Sequence, residues 1–404
     1  MPGYRLPRGG VGDSQSQRTA ARLLRNRLLM SSRSSGVPRT RRVAPTAQLV
    51  AQRVDPQATI HVARVRARRG WTDGGIKLSA GEHVTVLATG TLWTARPLGL
   101  GLLPKVGLWL RIGTGPALSM LGSAITFACD QDGPLKLLAA EPGALDASGA
   151  LDDNTKSIAL TGSYEVVVIR WATDPHLALT RAAALSPDLF GPAHLRHRRG
   201  DTTPVGWNHH PRIGASEIFS QPSPGGEVEC LTSGDVGIVR RPVDVPLTED
   251  LTLDWTWLVR DLPSALAENI EPTHDYLSVA VEFDDGRDLS WIWSSELPEG
   301  KVFSCPLPYW SSRETHLVIR SGTTGLGAWQ PESRHVLADA ASALATPLPS
   351  RVVAIWLIAN SACQGSVGSF TLRDLRLRST HLEHDVLAAL APNPSRHIKG
   401  SAHQ

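Results

Sequence analysis

The stretch LTLDWTWLVRDLP, residues 251–263, decides the fold of the C-terminal half because its residues alternate between apolar and mostly polar. This spacing puts Trp255 and Trp257 on one face of a β-strand. A second pair, Trp291 and Trp293, has the same spacing in DLSWIWSSELPEG, residues 288–300. Each pair shares its face with leucine or valine. We therefore predict that these indoles lie in the core of a β-sandwich and do not form an exposed stacking surface.

The rest of the chain from about residue 61 has the same texture. Short β-branched or alternating runs such as HVTVLATG and YEVVVIRW are separated by Gly, Pro and Asp, which favours antiparallel sandwiches. In YLSVAVEFDDGRDLSWIW, Asp285 and Gly286 lie between two alternating runs and predict a tight hairpin. The fold class is therefore all-β, with two antiparallel β-sandwich domains. The predicted organisation is a disordered arginine-rich arm (1–58), a sandwich (59–174), a linker with a brief helix (175–204), a sandwich (205–380) and a short helix with a polar tail (381–404).

The charge of the chain is divided unevenly. Residues 1–69 contain 15 Arg, no Lys and only two acidic residues, which gives +13 in a chain with a net charge of +3, so the remainder carries −10. The arm lacks interleaved aromatic residues, so nucleic-acid binding is not expected. It has no signal-peptide pattern, and no apolar run is long enough to span a membrane, so we expect a soluble cytoplasmic protein.

The sequence shows little catalytic chemistry. The four cysteines are 58 or more residues apart without a CxxC pair, which favours buried free thiols over a zinc ribbon. His209 and His210 are adjacent and are expected to be surface imidazoles in a loop. GTTGLG, residues 322–327, does not lead into a helix and is not a phosphate loop. A glycosidase would need two facing carboxylates. The sequence alone cannot pair the candidates Asp254, Asp275, Glu282 and Glu332.

Two other tryptophans are candidates for ligand binding. Trp310 in PYWSSRET and Trp329 in GAWQPESRH are flanked by Pro, Ser and charged residues. Such neighbours favour an exposed stacking surface, although anchoring of turns is an alternative. Glu332 and Arg334 follow Trp329 closely and are expected to bind the same ligand.

Residues of about 205–380 resemble the bacterial family of unknown function DUF3047. The resemblance rests on LDWTWLV, DYLSVAVEF, LSWIWSS, LVIRSG, AWQPESRHVLAD and GSFTLRDLRL, in that order. It implies a jelly-roll-like sandwich of the kind often used for carbohydrate binding, and no established activity. Members commonly carry acidic residues before DYLSVAVEF and an acidic, Asn-containing run after the penultimate strand. Only Asp275 and Asn360 match these positions, so a ligand that binds there in the family could be lost here.

Residues of about 60–172 resemble the LecA-like galactose lectins. GIKLSAGEHVTVLATGTLW is similar to their opening strands and LTGSYEVVVIRW to their closing strand. The resemblance implies a small jelly roll with calcium-assisted sugar binding. Ala159 and Leu160 stand where the lectins have their calcium-binding Asn pair, and these side chains cannot ligate a hard cation. Asp152, Asp153 and Asn154 are weak substitutes, so calcium is a possible cofactor and no other cofactor is expected.

Together these features predict a non-catalytic protein that binds carbohydrate or a glycoconjugate. One alternative is a polysaccharide hydrolase or lyase with carboxylates in a groove. The other is a protein–protein scaffold, for which the apolar loop LGLGLL, residues 98–103, would supply the contact surface. The sequence leaves the oligomeric state open.

Overall fold

The computed structural model describes residues 43–67, 70–152 and 159–388. They belong to two compact units: the first draws on residues 1–142 and 157–198, and the second on residues 143–156 and 199–404. Both units are β-sandwiches, as the sequence predicts.

The first unit contains two β-sheets. One has the strand order β1-β9-β3-β4 with β7 also paired to β3, and the other has the order β2-β8-β5-β6. A core that includes Val86, Leu110, Leu137 and Val166 fills the space between them. The strands are β1 (Thr59–Arg66), β2 (Thr72–Leu78), β3 (His83–Ala95), β4 (Leu100–Leu102), β5 (Leu108–Ile112), β6 (Leu118–Ser119), β7 (Ala124–Ala128), β8 (Gly133–Ala139) and β9 (Thr161–Arg170).

Helices cover the outer face of the first of these sheets, and this differs from the predicted organisation. α1 (Ala44–Val54) buries Ala47, Val50 and Ala51 within what we expected to be a disordered arm. The remainder of that arm, residues 1–42, lies outside the described residues. The expected linker is also largely helical. The other helices near this unit are α2 (Pro104–Gly107), α3 (Pro175–Leu185) and α4 (Pro187–Arg199).

The apolar residues of these helices explain the difference. Phe190 and Ala193 on α4 pack with Leu179 on α3 against Val167 and Ile169 of β9. This burial outweighs the helix-breaking tendency of Pro192, which lies inside α4.

The second unit is a larger sandwich. Its seven-stranded sheet has the order β10-β13-β20-β15-β16-β18-β17, and its six-stranded sheet has the order β11-β12-β21-β14-β19 with β22 paired to β21. The strands are β10 (Asn208–His209), β11 (Phe219–Ser220), β12 (Val228–Ser233), β13 (Val236–Pro246), β14 (Thr252–Asp261), β15 (Tyr276–Phe283), β16 (Asp288–Ser294), β17 (Val302–Ser304), β18 (Glu314–Ser321), β19 (Gln330–His335), β20 (Arg351–Asn360), β21 (Val367–Ser379) and β22 (Leu382–Asp385), and α5 spans Val336–Ala343.

The two tryptophan pairs lie between these sheets, so the prediction that they are core residues is confirmed. All four indoles are at most 1% exposed. The ring centroids of Trp255 and Trp291 are 5.8 Å apart, and those of Trp257 and Trp293 are 5.9 Å apart. Because β14 and β16 belong to different sheets, these contacts join the two layers of the sandwich.

Several local predictions also match the structure. The hairpin between β15 and β16 turns at Gly286, whose φ is +78°. All four cysteines are free. The prediction of a short helix after residue 381 is wrong for residues 382–385. These residues form β22, which pairs with β21 and extends the sheet. Residues 389–404 lie outside the described part. Within the described residues, no helix combines the length and apolar character required for a membrane span.

Candidate functional site

The structure buries three of the six predicted ligand-binding residues. Trp310 is only 5% exposed. Its ring lies 5.3 Å from that of His210, which also contacts Trp356 at 5.1 Å. The expectation of an exposed Trp310 is therefore wrong. The expectation that His209 and His210 are surface imidazoles is also wrong. His210 is half-buried, and a 2.9 Å hydrogen bond joins His209 Nε2 to the hydroxyl group of Thr203.

Asp275 and Asn360 are also buried, 0% and 5% exposed. The carboxylate of Asp275 accepts hydrogen bonds from the backbone N–H groups of Cys363 (2.9 Å) and Gln364 (2.6 Å). The side-chain amide of Asn360 donates to the carbonyl oxygen of His274 at 2.6 Å. Both residues therefore brace the backbone around His274 and do not contact solvent.

Glu332 and Arg334 lie on the face of β19 that points toward the tryptophan stack. Trp257 Nε1 donates to Glu332 Oε1 at 3.0 Å, and Arg320 pairs with the same carboxylate. Arg334 makes a two-pronged ion pair with Asp339, whose Oδ2 also accepts from Trp291 Nε1 at 2.8 Å. Glu332 and Asp339 thus accept the indole N–H groups of Trp257 and Trp291 at the edge of the core.

Trp329 keeps part of its surface exposed, as the sequence predicts. The guanidinium carbon of Arg373 lies 4.0 Å from its ring centroid. Arg373 lies on β21 opposite Thr256 of β14, so the indole belongs to the outer face of the six-stranded sheet. We define this outer face by Asp254, Thr256, Trp329, Ser333, Arg373 and Arg376.

The charged side chains of the outer face are paired. Ser333 Oγ donates to Asp254 at 2.6 Å. Arg378 lies 3.2 Å from Asp254, and Arg376 lies 3.7 Å from Asp374. Because these side chains are 21–50% exposed to solvent, the ion pairs contribute little to stability.

A second cluster lies on the opposite side of the unit, buried against the outer face of the seven-stranded sheet. His274 precedes β15, Cys305 follows β17, and Glu314 and His316 lie two apart on one face of β18. All four are at most 2% exposed. One ligand atom from each residue lies within 4.8 Å of all the others. This tetrad offers two imidazoles, a thiol and a carboxyl group, which is a donor set that fits a transition metal.

The distances within the tetrad are short. Cys305 Sγ lies 3.2 Å from His274 Nε2, and His316 Nε2 lies 3.6 Å from Glu314 Oε1. Tyr276 donates a 2.7 Å hydrogen bond to Glu314 Oε1. Neither ring nitrogen of His316 has a hydrogen-bond partner among the described residues. Buried polar groups without partners are uncommon and call for a specific cause.

Burial controls the protonation of the tetrad. It lowers the pKa of His274 to about 4 and that of His316 well below its usual range. It also raises the pKa of the Glu314 carboxyl and of the Cys305 thiol, the latter with the help of the nearby Glu314. In the absence of a cation, these effects favour the neutral form of every group.

The sequence analysis did not find this tetrad. Its members lie between residues 274 and 316, and their spacing matches no common metal-binding motif. The register of the β-sheet brings them together, since Phe303 of β17, two residues before Cys305, pairs with His316 of β18. The one available signal is Glu314-Thr315-His316, since residues two apart on a strand share a face. Of the three calcium candidates, only Asp152 lies within the described residues. Asp152 pairs with Arg212 at 3.0 Å. Asp153 and Asn154 lie outside the described residues.

Comparisons with solved structures return proteins of low similarity to this chain. The N-terminal domain of EclA, described as a PllA-like lectin, is 21% identical, and the match covers 27% of this chain and 95% of that domain with a TM-score of 0.21. The xyloglucanase domain of NopAA from Sinorhizobium fredii is 11% identical over 44% of this chain and 100% of that one, with a TM-score of 0.27. A carbohydrate-binding module of the β-sandwich superfamily is 9% identical over 78% and 98%, with a TM-score of 0.21.

Comparisons at the sequence level concern the second unit. No curated protein matches the chain. Residues 219–376 match the model of the family described as Protein of unknown function (DUF3047), which confirms the resemblance found in the sequence. Residues 219–376, within the second unit, are therefore similar to the DUF3047 family.

Proposed function

We propose that this protein binds carbohydrate on the outer face of the six-stranded sheet, with Trp329 as the surface on which a sugar ring stacks. One observation carries the proposal: a partly exposed indole lies on the outer face of the sheet, stacked with Arg373 and on the same face as Asp254, Thr256 and Ser333. An indole supplies a rigid apolar surface with few rotatable bonds, which suits it to stacking on the C–H face of a sugar.

Arg373 helps to prepare the indole for binding. Its guanidinium group stacks on Trp329 at 4.0 Å, which restricts the ring to one orientation. A ligand then meets a side chain whose rotational freedom is already reduced. Less entropy is lost on binding.

Groups that can hydrogen-bond hydroxyls lie further along the same face, four residues from Trp329 in the direction of β19. Asp254 lies opposite Ser333 on β19 and opposite Arg376 on β21. Neighbouring strands are about 4.8 Å apart, so donors and acceptors from three strands can contact one sugar. The charges on this face balance. The basic residues Arg373, Arg376 and Arg378 form ion pairs with the acidic residues Glu227, Asp254 and Asp374. This balance favours neutral sugars over polyanions.

A glycan array tests the proposal directly. The full chain is applied with and without calcium, beside Trp329→Ala and the control Trp71→Ala. Trp71 is also half-buried beneath an arginine, with Arg111 Cζ 4.3 Å from its ring centroid, but it lies in the first unit. We expect a neutral glycan to be retained by the wild type and by Trp71→Ala. Loss of Trp329 should weaken binding by about tenfold or more.

Two results would contradict the proposal. One is a silent array with a chain shown to be folded by circular dichroism. The other is binding that Trp329→Ala leaves intact. Loss of binding with chelator would return the calcium hypothesis to Asp152, Asp153 and Asn154. Cleavage of the bound glycan would favour the hydrolase or lyase alternative.

A further inference from the structure

We infer that the second unit binds one divalent transition-metal ion of the zinc type between His274, Cys305, Glu314 and His316. This site lies under the loops that cover the seven-stranded sheet, away from the outer face of the six-stranded sheet, and it does not depend on the proposed carbohydrate binding. Four observations support it independently.

The first is geometry. Zinc bonds of roughly 2.0–2.3 Å in a tetrahedron place ligand atoms roughly 3.3–3.8 Å apart. The Cys305–His274 contact of 3.2 Å and the His316–Glu314 contact of 3.6 Å are already close to these values. The longest separation in the tetrad is at most 4.8 Å, so a contraction of about 1 Å brings every separation into this range.

The second observation is the unpartnered imidazole of His316. It is 0% exposed, and neither of its nitrogens is hydrogen-bonded within the described residues. Phe303 stacks on it at 4.8 Å and holds the ring in the cluster. Desolvation without a partner is costly. Coordination through Nε2 would give the ring a partner.

The third point is the balance between the charge of the four ligands and the charge of the ion. A thiolate on Cys305 and a carboxylate on Glu314 together carry −2, whereas the two neutral imidazoles carry none. A divalent cation therefore gives a neutral buried site, and a monovalent or trivalent ion would leave a net charge in a low-dielectric region. On binding, the thiol of Cys305 and any protonated Glu314 release their protons to solvent, and one metal–sulfur and one metal–oxygen bond form. The soft thiolate and the imidazoles select against calcium and magnesium.

The fourth observation is the support around His274. Its Nδ1 lies 2.6 Å from the carbonyl oxygen of Glu268, which fixes the tautomer that leaves Nε2 free for a metal. Asn360 and Asp275 hold the backbone at the same place. The two positions that match the DUF3047 pattern thus support a metal ligand and do not themselves bind the ion.

Four protein ligands leave no open coordination position, which is typical of a structural metal. The ion would join the segment before β15, the loop after β17 and strand β18. Its expected effect is to raise the stability of the second unit, because binding to the folded chain alone shifts the folding equilibrium.

Cobalt binding tests the inference. Metal-free full-length chain is titrated with Co²⁺, and a thiolate-to-cobalt charge-transfer band with visible bands of a tetrahedral ion should saturate at one equivalent. Cys305→Ala should lose the charge-transfer band and bind about tenfold or more weakly. Cys230→Ala is the matched control, because Cys230 is an equally buried free thiol in the core between the sheets. It should behave like the wild type.

A second readout guards against a folding defect in the variant. Zn²⁺ should raise the unfolding midpoint of the wild type and of Cys230→Ala, and chelator should reverse the rise. The inference is overturned if the folded wild type shows no thiolate band with Co²⁺ and no shift with Zn²⁺. It is equally overturned if the band persists in Cys305→Ala. Neither result affects the glycan array, so the two proposals fail separately.

Discussion

Replacement of Trp257 and Trp255 by phenylalanine, one at a time, tests how the tryptophan stack contributes to stability. The two indoles are matched: they lie on β14, face the same core and are 0% and 1% exposed. They differ in one respect. Trp257 Nε1 donates to Glu332, whereas Trp255 Nε1 has no partner among the residues that the structure describes.

The magnitude follows from this difference. Both variants lose the same volume from the core, so the cavity costs largely cancel in a comparison. Trp257→Phe also loses a hydrogen bond to a charged acceptor, which is worth about 1.5–3 kcal/mol. Glu332 still pairs with Arg320, so no buried charge is stranded. Trp255→Phe removes an unsatisfied buried donor, which offsets part of its own cavity cost. We expect Trp257→Phe to be less stable than Trp255→Phe by at least about 1.5 kcal/mol.

Urea denaturation of the full chain, followed by circular dichroism, measures the difference. The two units can unfold in separate transitions, so the comparison uses the transition that both variants shift. Equal destabilisation, or a larger loss in Trp255→Phe, would refute the reasoning. It would show that hydrogen bonding at the edge of the stack does not control its stability.

Two further predictions concern other parts of the second unit. At Gly206 (φ +79°) an added Cβ would lie 1.6 Å from Nη1 of the buried Arg241, whereas at Gly300 (φ +80°) it would meet nothing within 4 Å. Gly206→Ala should therefore lower the urea midpoint distinctly more than Gly300→Ala. Equal shifts of the midpoint would contradict the clash. Burial, with the nearby Arg240, Arg212 and Arg313, lowers the pKa of His210 from 6.5 to about 4. Between these pH values the unfolded chain binds a proton at His210 that the folded chain does not. The free energy of unfolding should therefore decrease as the pH falls from about 6.5 to 4. His274 has a pKa lowered to about 4 as well, so His210→Phe should reduce this dependence without abolishing it in denaturation curves recorded across that range; an unchanged slope would exclude His210 as one of its sources.

The strands were predictable because their signal is local. The alternation in residues 251–263 places Trp255 and Trp257 on the buried face of β14, and Asp285-Gly286 predicts the hairpin, since both patterns depend only on neighbouring residues. The sequence also indicates correctly that the cysteines are unpaired, because their wide spacing carries no disulfide or zinc-ribbon pattern.

Features that depend on distant residues were not predictable. Trp310 has polar neighbours in the sequence, but the fold packs it against His210, 100 residues away. α1 follows an arginine-rich segment, and its small apolar face becomes evident only where β9 covers it. Glu332 has the sequence context of a surface residue, yet Trp257 and Arg320 hold it at the edge of the core.

The metal tetrad shows the same limit. Cys305 is brought beside the other ligands by the pairing of β17 with β18, and its backbone N–H donates to the carbonyl oxygen of Glu314 at 2.9 Å. No periodicity within either strand encodes this register. A single sequence therefore reveals at most the Glu314-x-His316 pair, and three-dimensional contacts supply His274 and Cys305.

Hydroxyl-radical footprinting with mass spectrometry tests the central claim most directly, because it reports the solvent exposure of individual tryptophan side chains. The full chain is labelled with and without a neutral glycan that it binds. The account predicts that oxidation of Trp329 falls several-fold in the presence of the glycan while oxidation of Trp71 is unchanged. A bound glycan that leaves the oxidation of Trp329 unaltered would contradict the assignment of the binding surface to the outer face of the six-stranded sheet.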